Sequence, residues 1–383
     1  MAAPSASPRV FKVIPTIQQY DWGKVGREAK VAQFAEASQL PGFSVDEGAP
    51  YAELWMGTHS SSPSVVKDSG DLLSDHLREH QDLIGSQIID KFEDAKNGNL
   101  PFLFKVLSIA KALSIQSHPD KETAKQLHAI SPKIYKDPNH KPEMALALTD
   151  FEALCGFRPV NDIARNLRDT PELESIIPAT ILHDFYQLET QDTPKEKVAL
   201  KNLFAAVMTT PTEKVHSAVE AIVQRYQREQ IPTRSSTPLS SASTPIPTRH
   251  RHPAIFLGAG EPHAYISGEA IECMANSDNV IRAGLTPKLR DVPNLVLGLT
   301  YETGEGTRHH VSPDAFSTEE QEGAQSLLYD PPIEEFSVLR LDIPKGTSAA
   351  QRAVAGPSLA IVTAGEGTLA GDDERGLQKR EIS

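Results

Sequence analysis

Four polar residues stand where an apolar strand pattern would otherwise continue. Gln116 and His118 lie two apart in LSIQSHPDK, so on an extended chain both side chains leave the same face. Glu143 opens EMALALTDF on the face that also carries Ala145 and Ala147, small neighbours that leave room beside a carboxylate. His263 and Tyr265 share a face in EPHAYIS. Taken singly, each has a bland reading: a hydrogen-bonded structural histidine, a solvated glutamate, an amide bound to backbone. Taken together, one amide, one carboxylate and two imidazoles make an oxygen and nitrogen donor set suited to zinc, although Gln is an uncommon ligand. With one anionic ligand the ion keeps positive charge and serves as a Lewis acid with an open position.

Two cations accompany this set. Pro142 biases Lys141 toward an extended conformation, which puts Lys141 and Glu143 on the same side. A cation beside a metal carboxylate is costly unless an anion is expected there. Arg282 in SDNVIRAG offers a planar fork suited to phosphate or an enediolate; its Val, Ile and Gly neighbours favour a strand or turn. The glycines of GAG at 258–260 do not make a dinucleotide loop, because His263 takes the third glycine position and a strand follows. No phosphate-loop, nucleophile-elbow or HExxH pattern occurs.

The elements that must hold these residues read as follows. From Val10 to Phe157 the chain reads as short strands, with PFLFKVLSIA and KALSIQSH joined through Ala110–Ala112. Pro119 ends the second strand, and Asp120 is placed to cap a following helix. From 158 to 229 the period turns helical, with a capping box at Thr193–Glu196 and Val215, Ala218, Val219, Ile222 and Tyr226 on one face. Ser, Thr and Pro supply thirteen of the twenty-two residues 231–252, a composition read as a mobile low-complexity loop without a packed strand. Strands resume at AIFLGAGEPHAYISGEAIECM. The tail after Leu369 is polar and expected to fray.

The 383 residues can build a substantial core, and a net charge of −13 argues against nucleic acid or an anionic membrane as partner. A small anionic substrate needs only a few local cations. Two cysteines, no signal-peptide core and no long apolar run point to a reduced, cytoplasmic protein.

Longer stretches carry a resemblance. YDWGK (20–24), YAELWMGTHSSSPS (51–64), LSIQSHPDK (113–121), NHKPEMALALTDFEALCGFRP (139–159) and GAGEPHAYISGEAIECMANSDNVIRAGLTPK (258–288) resemble type I mannose-6-phosphate isomerases of the eukaryotic, fungal-like kind. The resemblance spans roughly residues 8 to 369. It implies one Zn²⁺ per chain on Gln116, His118, Glu143 and His263. It implies a catalytic arginine at Arg282, and proton transfer or ring opening by residues among His140, Lys141, Glu272 and Asp278. A substrate pocket would be lined by Ser114, Lys141, Tyr265 and Lys288. The implied activity is interconversion of D-mannose 6-phosphate and D-fructose 6-phosphate through a cis-enediol, feeding GDP-mannose synthesis, in a monomer.

The implied fold is mainly β with a helical insertion. A cupin-type jelly roll would comprise residues 1–157 and 253–330, with the helical insertion at 158–229 and the low-complexity loop at 230–252. A truncated second jelly roll would occupy 331–383. The sequence departs from the family at 230–252, where a Gly-Asp turn and apolar strands belong, and after Leu369. Both breaks suggest an altered splice form or gene model, and a chain less stable than its relatives. A non-catalytic metal-binding bicupin, or an inactive variant, therefore stands beside the isomerase as an alternative.

Overall fold

The computed structural model describes residues 9–188, 193–229, 243–246, 253–316, 323–373 and 376–382. One strand, His263–Ala275, organises the β-rich part because it belongs to two sheets. Its second half lies in a seven-stranded antiparallel sheet. The order there is His310–Val311, Ala254–Leu257, Glu143–Ala147, His263–Ala275, Phe102–Ile109, Glu53–Met56 and Thr16–Gln18. Its first half pairs with Phe151–Cys155 on one side and Ile115–Ser117 on the other. Ser243–Ile246 and Ile281–Gly284 extend that second sheet outward. The crossover falls at Gly268, at φ +111°, where an added Cβ would lie 2.3 Å from the Asp150 carbonyl oxygen. A side chain there would force the two sheets apart.

The alternation read in EMALALTDF is present. Met144 and Leu146 join an apolar core on one face with Tyr329, Phe336 and Val338, while Ala145 and Ala147 face the space between the sheets. The described residues are mostly β with several helices, as the resemblance implied, and their strands form no closed barrel. The C-terminal part is a three-stranded sheet of Asp314–Ala315, Gln325–Tyr329 and Val338–Asp342, followed by a hairpin of Gly367–Asp373 and Gly376–Ile382. Strands on either side of residue 330 therefore pair with each other.

Helices Val160–Arg168, Pro171–Glu174, Ala179–Tyr186, Thr193–Met208 and Thr212–Glu229 make up the insertion. In the last of them Ala218 is buried, whereas Val219 is half-exposed, so the buried stripe is narrower than its periodicity suggests. Asp120 caps Lys121–Ile130 by accepting from the Thr123 amide.

Three sequence readings are corrected. Residues 30–91 contain helices at Lys30–Ala37, Leu73–Glu79 and Ser86–Lys91, not strands alone. Val31, Phe34 and Ala35 give the first of these its i, i+3, i+4 buried face. Of the expected loop at 230–252 only Ser243–Ile246 lies within the described residues, and it forms a strand at a sheet edge. An edge tolerates Pro245, since one side of its backbone needs no ladder donor. The tail pairs as a hairpin, because ladder bonds between backbones do not depend on apolar side chains.

Candidate metal centre

Strand register assembles the site. Gln116 pairs opposite His263 on one side and opposite Arg282 on the other, so three of the expected site residues form one row across three strands. Opposed residues in an antiparallel pair project from the same face. The seven-stranded sheet makes a second row, in which Ala145 lies opposite Glu272 and Glu272 opposite Lys105. Glu143 precedes Ala145 by two residues and shares its face.

Ligand atoms of His118, Glu143 and His263 lie within 4.8 Å of one another, and all three residues are buried. The His118 Nδ1–H donates to the Asn279 carbonyl at 2.7 Å, and the His263 Nδ1–H donates to the Glu261 carbonyl at 2.9 Å. Both Nε2 atoms are left as electron-pair donors. His263 Nε2 faces Glu143 Oε1 at 2.9 Å, and His118 Nε2 lies 3.5 Å from Glu143 Oε2 without a hydrogen-bond partner. Such lone pairs turned toward each other in a dry site call for a cation between them. The Gln116 amide lies 3.4 Å from His263 Nε2, and a half-turn about its last torsion brings its oxygen to the same place. The donor set thus fits Zn²⁺.

Electrostatics agree with that reading. Burial and the nearby Lys141 push the His118 pKa down to about 4, so the ring is neutral near pH 7. Burial alone would raise the Glu143 carboxyl, but Lys141, His118 and His263 outweigh it and hold the group well below its ordinary range. Lys141 Nζ donates to Glu143 Oε2 at 2.8 Å, and the Tyr265 hydroxyl donates to Oε1 at 3.4 Å.

Glu272 extends the network. Burial raises its pKa, opposed by Lys105, whose Nζ donates to it at 3.1 Å. Lys105 also lies 3.4 Å from Glu53 and sits over the Trp55 ring at 4.7 Å. Sequence reasoning missed Lys105, Glu53 and Asn279. The available signal was a lone charge in each of two buried runs, PFLFKVLSIA and YAELWMG.

The other expected site residues are placed as follows. Arg282 is half-buried, its pKa lowered by burial, and its guanidinium has no hydrogen bond or ion pair among the described residues. Ser114 is partly buried two residues before Gln116, and Lys288 is exposed beyond Ile281–Gly284. Asp278 lies 3.5 Å from His59 and 3.7 Å from Lys136, outside the His118–Glu143–His263 group. His140 is engaged elsewhere, 2.6 Å from Glu335. No described helix is long and apolar enough to cross a membrane.

Comparison with known proteins supplies a family. Residues 10–160 match the catalytic domain of type I phosphomannose isomerase, and residues 326–373 match the C-terminal part of the same family. The chain is 44% identical to the mannose-6-phosphate isomerase of Cryptococcus neoformans, over 96% of this chain and 92% of that protein. The apo form of mannose 6-phosphate isomerase from Salmonella typhimurium superposes with a TM-score of 0.75 at 28% identity, over 98% of this chain and 92% of that one. A mannose 6-phosphate isomerase bound with zinc and yttrium superposes with a TM-score of 0.67 at 30% identity, over 85% of this chain and 82% of that one.

Proposed function

We propose, because this chain belongs to the type I phosphomannose isomerase family, that it interconverts D-mannose 6-phosphate and D-fructose 6-phosphate as a zinc enzyme. The observation that carries the reading is the meeting of the two rows. Ligand atoms of His118, Glu143 and His263 converge on one point, and an uncompensated Arg282 shares a row with Gln116 and His263. A structural metal site has no use for a half-buried, unpaired guanidinium.

His118, Glu143, His263 and the Gln116 amide would hold one Zn²⁺ per chain. Bound zinc supplies Lewis acidity and orientation for sugar oxygens. In the isomerisation the ring opens, a proton leaves C2, and a cis-enediol forms. O1 gains a proton as the enediol forms; a proton then enters C1 while the O2 hydroxyl proton is lost as the ketone forms. Arg282 is suited to negative charge developing on O1 and O2, because its donors are unspent and partly desolvated. Glu272 suits proton transfer better than His140 or Asp278. Its carboxyl pKa is raised by burial, and it lies beside Lys105 in the ladder near Glu143. Lys105 holds Glu272 in place, and Lys141 offers a donor to a substrate oxygen. Ser114 and Lys288 would serve the phosphate end. The fuller reading is a cupin-type catalytic unit interrupted by the 158–229 helices, acting in the cytoplasm as a monomer on a phosphosugar that supplies GDP-mannose synthesis.

Turnover of mannose 6-phosphate, measured with zinc content in parallel, tests this. Loss of activity on chelation and recovery with one equivalent of Zn²⁺ is expected. His118→Ala and His263→Ala should lose both zinc and turnover. Zinc binding without turnover in the unsubstituted chain would instead make it a metal-binding relative that has lost catalysis.

A further inference from the structure

The carboxylate of Glu335 comes from the C-terminal segment, yet it meets the chain on both sides of the metal centre. Its Oε1 lies 2.6 Å from His140 Nε2 and 3.8 Å from Lys121 Nζ. His140 precedes the ligand Glu143 by three residues, and Lys121 follows the ligand His118 by three. Glu335 Oε2 also accepts from the Glu334 amide at 3.2 Å, so the carboxylate is held from both ends. The side chain is 6% exposed. Neighbouring Phe336 and Val338 sit in the same core as Met144, which fixes the segment against the strand that carries Glu143.

A nearly buried carboxylate is a poor device for stability, since an apolar residue of similar size often does as well. It is a good device for fixing geometry. Between His140 and Glu143 stand only Lys141 and Pro142, and the proline restricts both itself and the lysine before it. The path is short and stiff, so a displaced His140 carries the Lys141 ammonium and the Glu143 carboxylate with it.

We propose that Glu335 is a positioning residue for the isomerisation, acting through His140 to set Lys141 and Glu143 at the metal centre. The proposal rests on the function proposed above. It also assigns His140 a supporting role in place of proton transfer. Outer partners of metal ligands carry effects of about 10–100-fold on metal affinity or activity.

The test uses the full chain loaded with zinc and compares Glu335→Gln, Glu335→Ala, His140→Gln and His140→Ala. Glu334→Gln serves as a control, since Glu334 is exposed and pairs with Lys91. Both Glu335 variants should lower kcat about tenfold or more with KM within about threefold, and should speed zinc loss to a chelator about tenfold without substrate. His140→Gln keeps a donor for Glu335 and should recover most of what His140→Ala loses. The control should match the unsubstituted chain. An unchanged kcat and zinc-loss rate in Glu335→Ala would overturn the proposal. So would a loss that tracks only the unfolded fraction, or His140→Gln as inactive as His140→Ala. The zinc-loss rate also separates the two claims: if it responds while the unsubstituted chain does not turn over mannose 6-phosphate, the function reading fails and the positioning role stands.

Discussion

Lys141 Nζ lies 2.8 Å from Oε2 of Glu143, two residues along one extended segment, with both side chains buried. A cation so close to a carboxylate proposed as a metal ligand would compete with the metal for it. Its presence there costs affinity and makes sense only if substrate brings negative charge to the site.

Lys141→Met should therefore separate binding from catalysis. Removing the ammonium relieves repulsion against a divalent ion, so zinc should be held as tightly as before or more tightly. Turnover should fall by two orders of magnitude or so, in the range seen when a transition-state donor is removed. Zinc titration and steady-state kinetics on one preparation check both halves; weaker zinc binding would make Lys141 a support of the metal site.

Arg282 behaves differently because its guanidinium makes no hydrogen bond or ion pair to the donor cluster among the described residues. Arg282→Ala should keep zinc and fold and lose mainly kcat, since the fork acts on charge that develops in the transition state. Arg282→Lys should recover little, lacking the bidentate geometry. A raised KM at unchanged kcat would mark Arg282 as a phosphate contact instead.

The proximity of Lys141 and Glu143 was legible in sequence because Pro142 restricts the chain locally. Gln116 and His118, two apart on an extended strand, were legible for the same reason. The row joining Gln116, His263 and Arg282 was not readable from spacing, because residues 116 and 263 meet through strand pairing over 147 positions. Donor chemistry had grouped Gln116 with His263 without showing that they meet, and the resemblance added Arg282. Lys105 and Glu53 escaped because a buried charge looks like an interruption until its partners are known. The strand at Ser243–Ile246 escaped because composition describes side chains, while an edge strand needs only backbone.

The pH dependence of stability follows from His118. Its folded pKa of about 4 lies below the ordinary 6.5, so between those values the unfolded chain binds more protons. The contribution is complete above about pH 6.5 and is lost as pH falls toward 4, with an upper size of about 3 kcal/mol. Glu143 adds to the loss at lower pH, because its depressed carboxyl contributes above its ordinary value and forfeits that on protonation. The metal-free chain should show a Tm that falls steadily from pH 6.5 to 4. His118→Asn, which keeps a donor near the Asn279 carbonyl but does not titrate, should flatten that slope. Equal slopes in the two proteins would remove His118 as its source.

Glu272→Gln tests the proton carrier. Glu272 and Lys105 stand opposite each other in the ladder, and Lys105 Nζ donates to Glu272 at 3.1 Å, so the isosteric amide preserves packing and keeps an acceptor for that bond. It cannot accept a proton from C2. Turnover should fall by about 10²–10⁴-fold, the usual worth of general acid–base catalysis. Zinc content should stay at the unsubstituted level, because Glu272 is not among the converging donors. Exchange of the C2 hydrogen with solvent deuterium gives an independent readout, since it reports proton abstraction whether or not product leaves. Exchange should collapse along with turnover. If exchange persisted in Glu272→Gln, another group would be removing the proton. Asp278 would be the next to substitute, because His140 is already committed to Glu335.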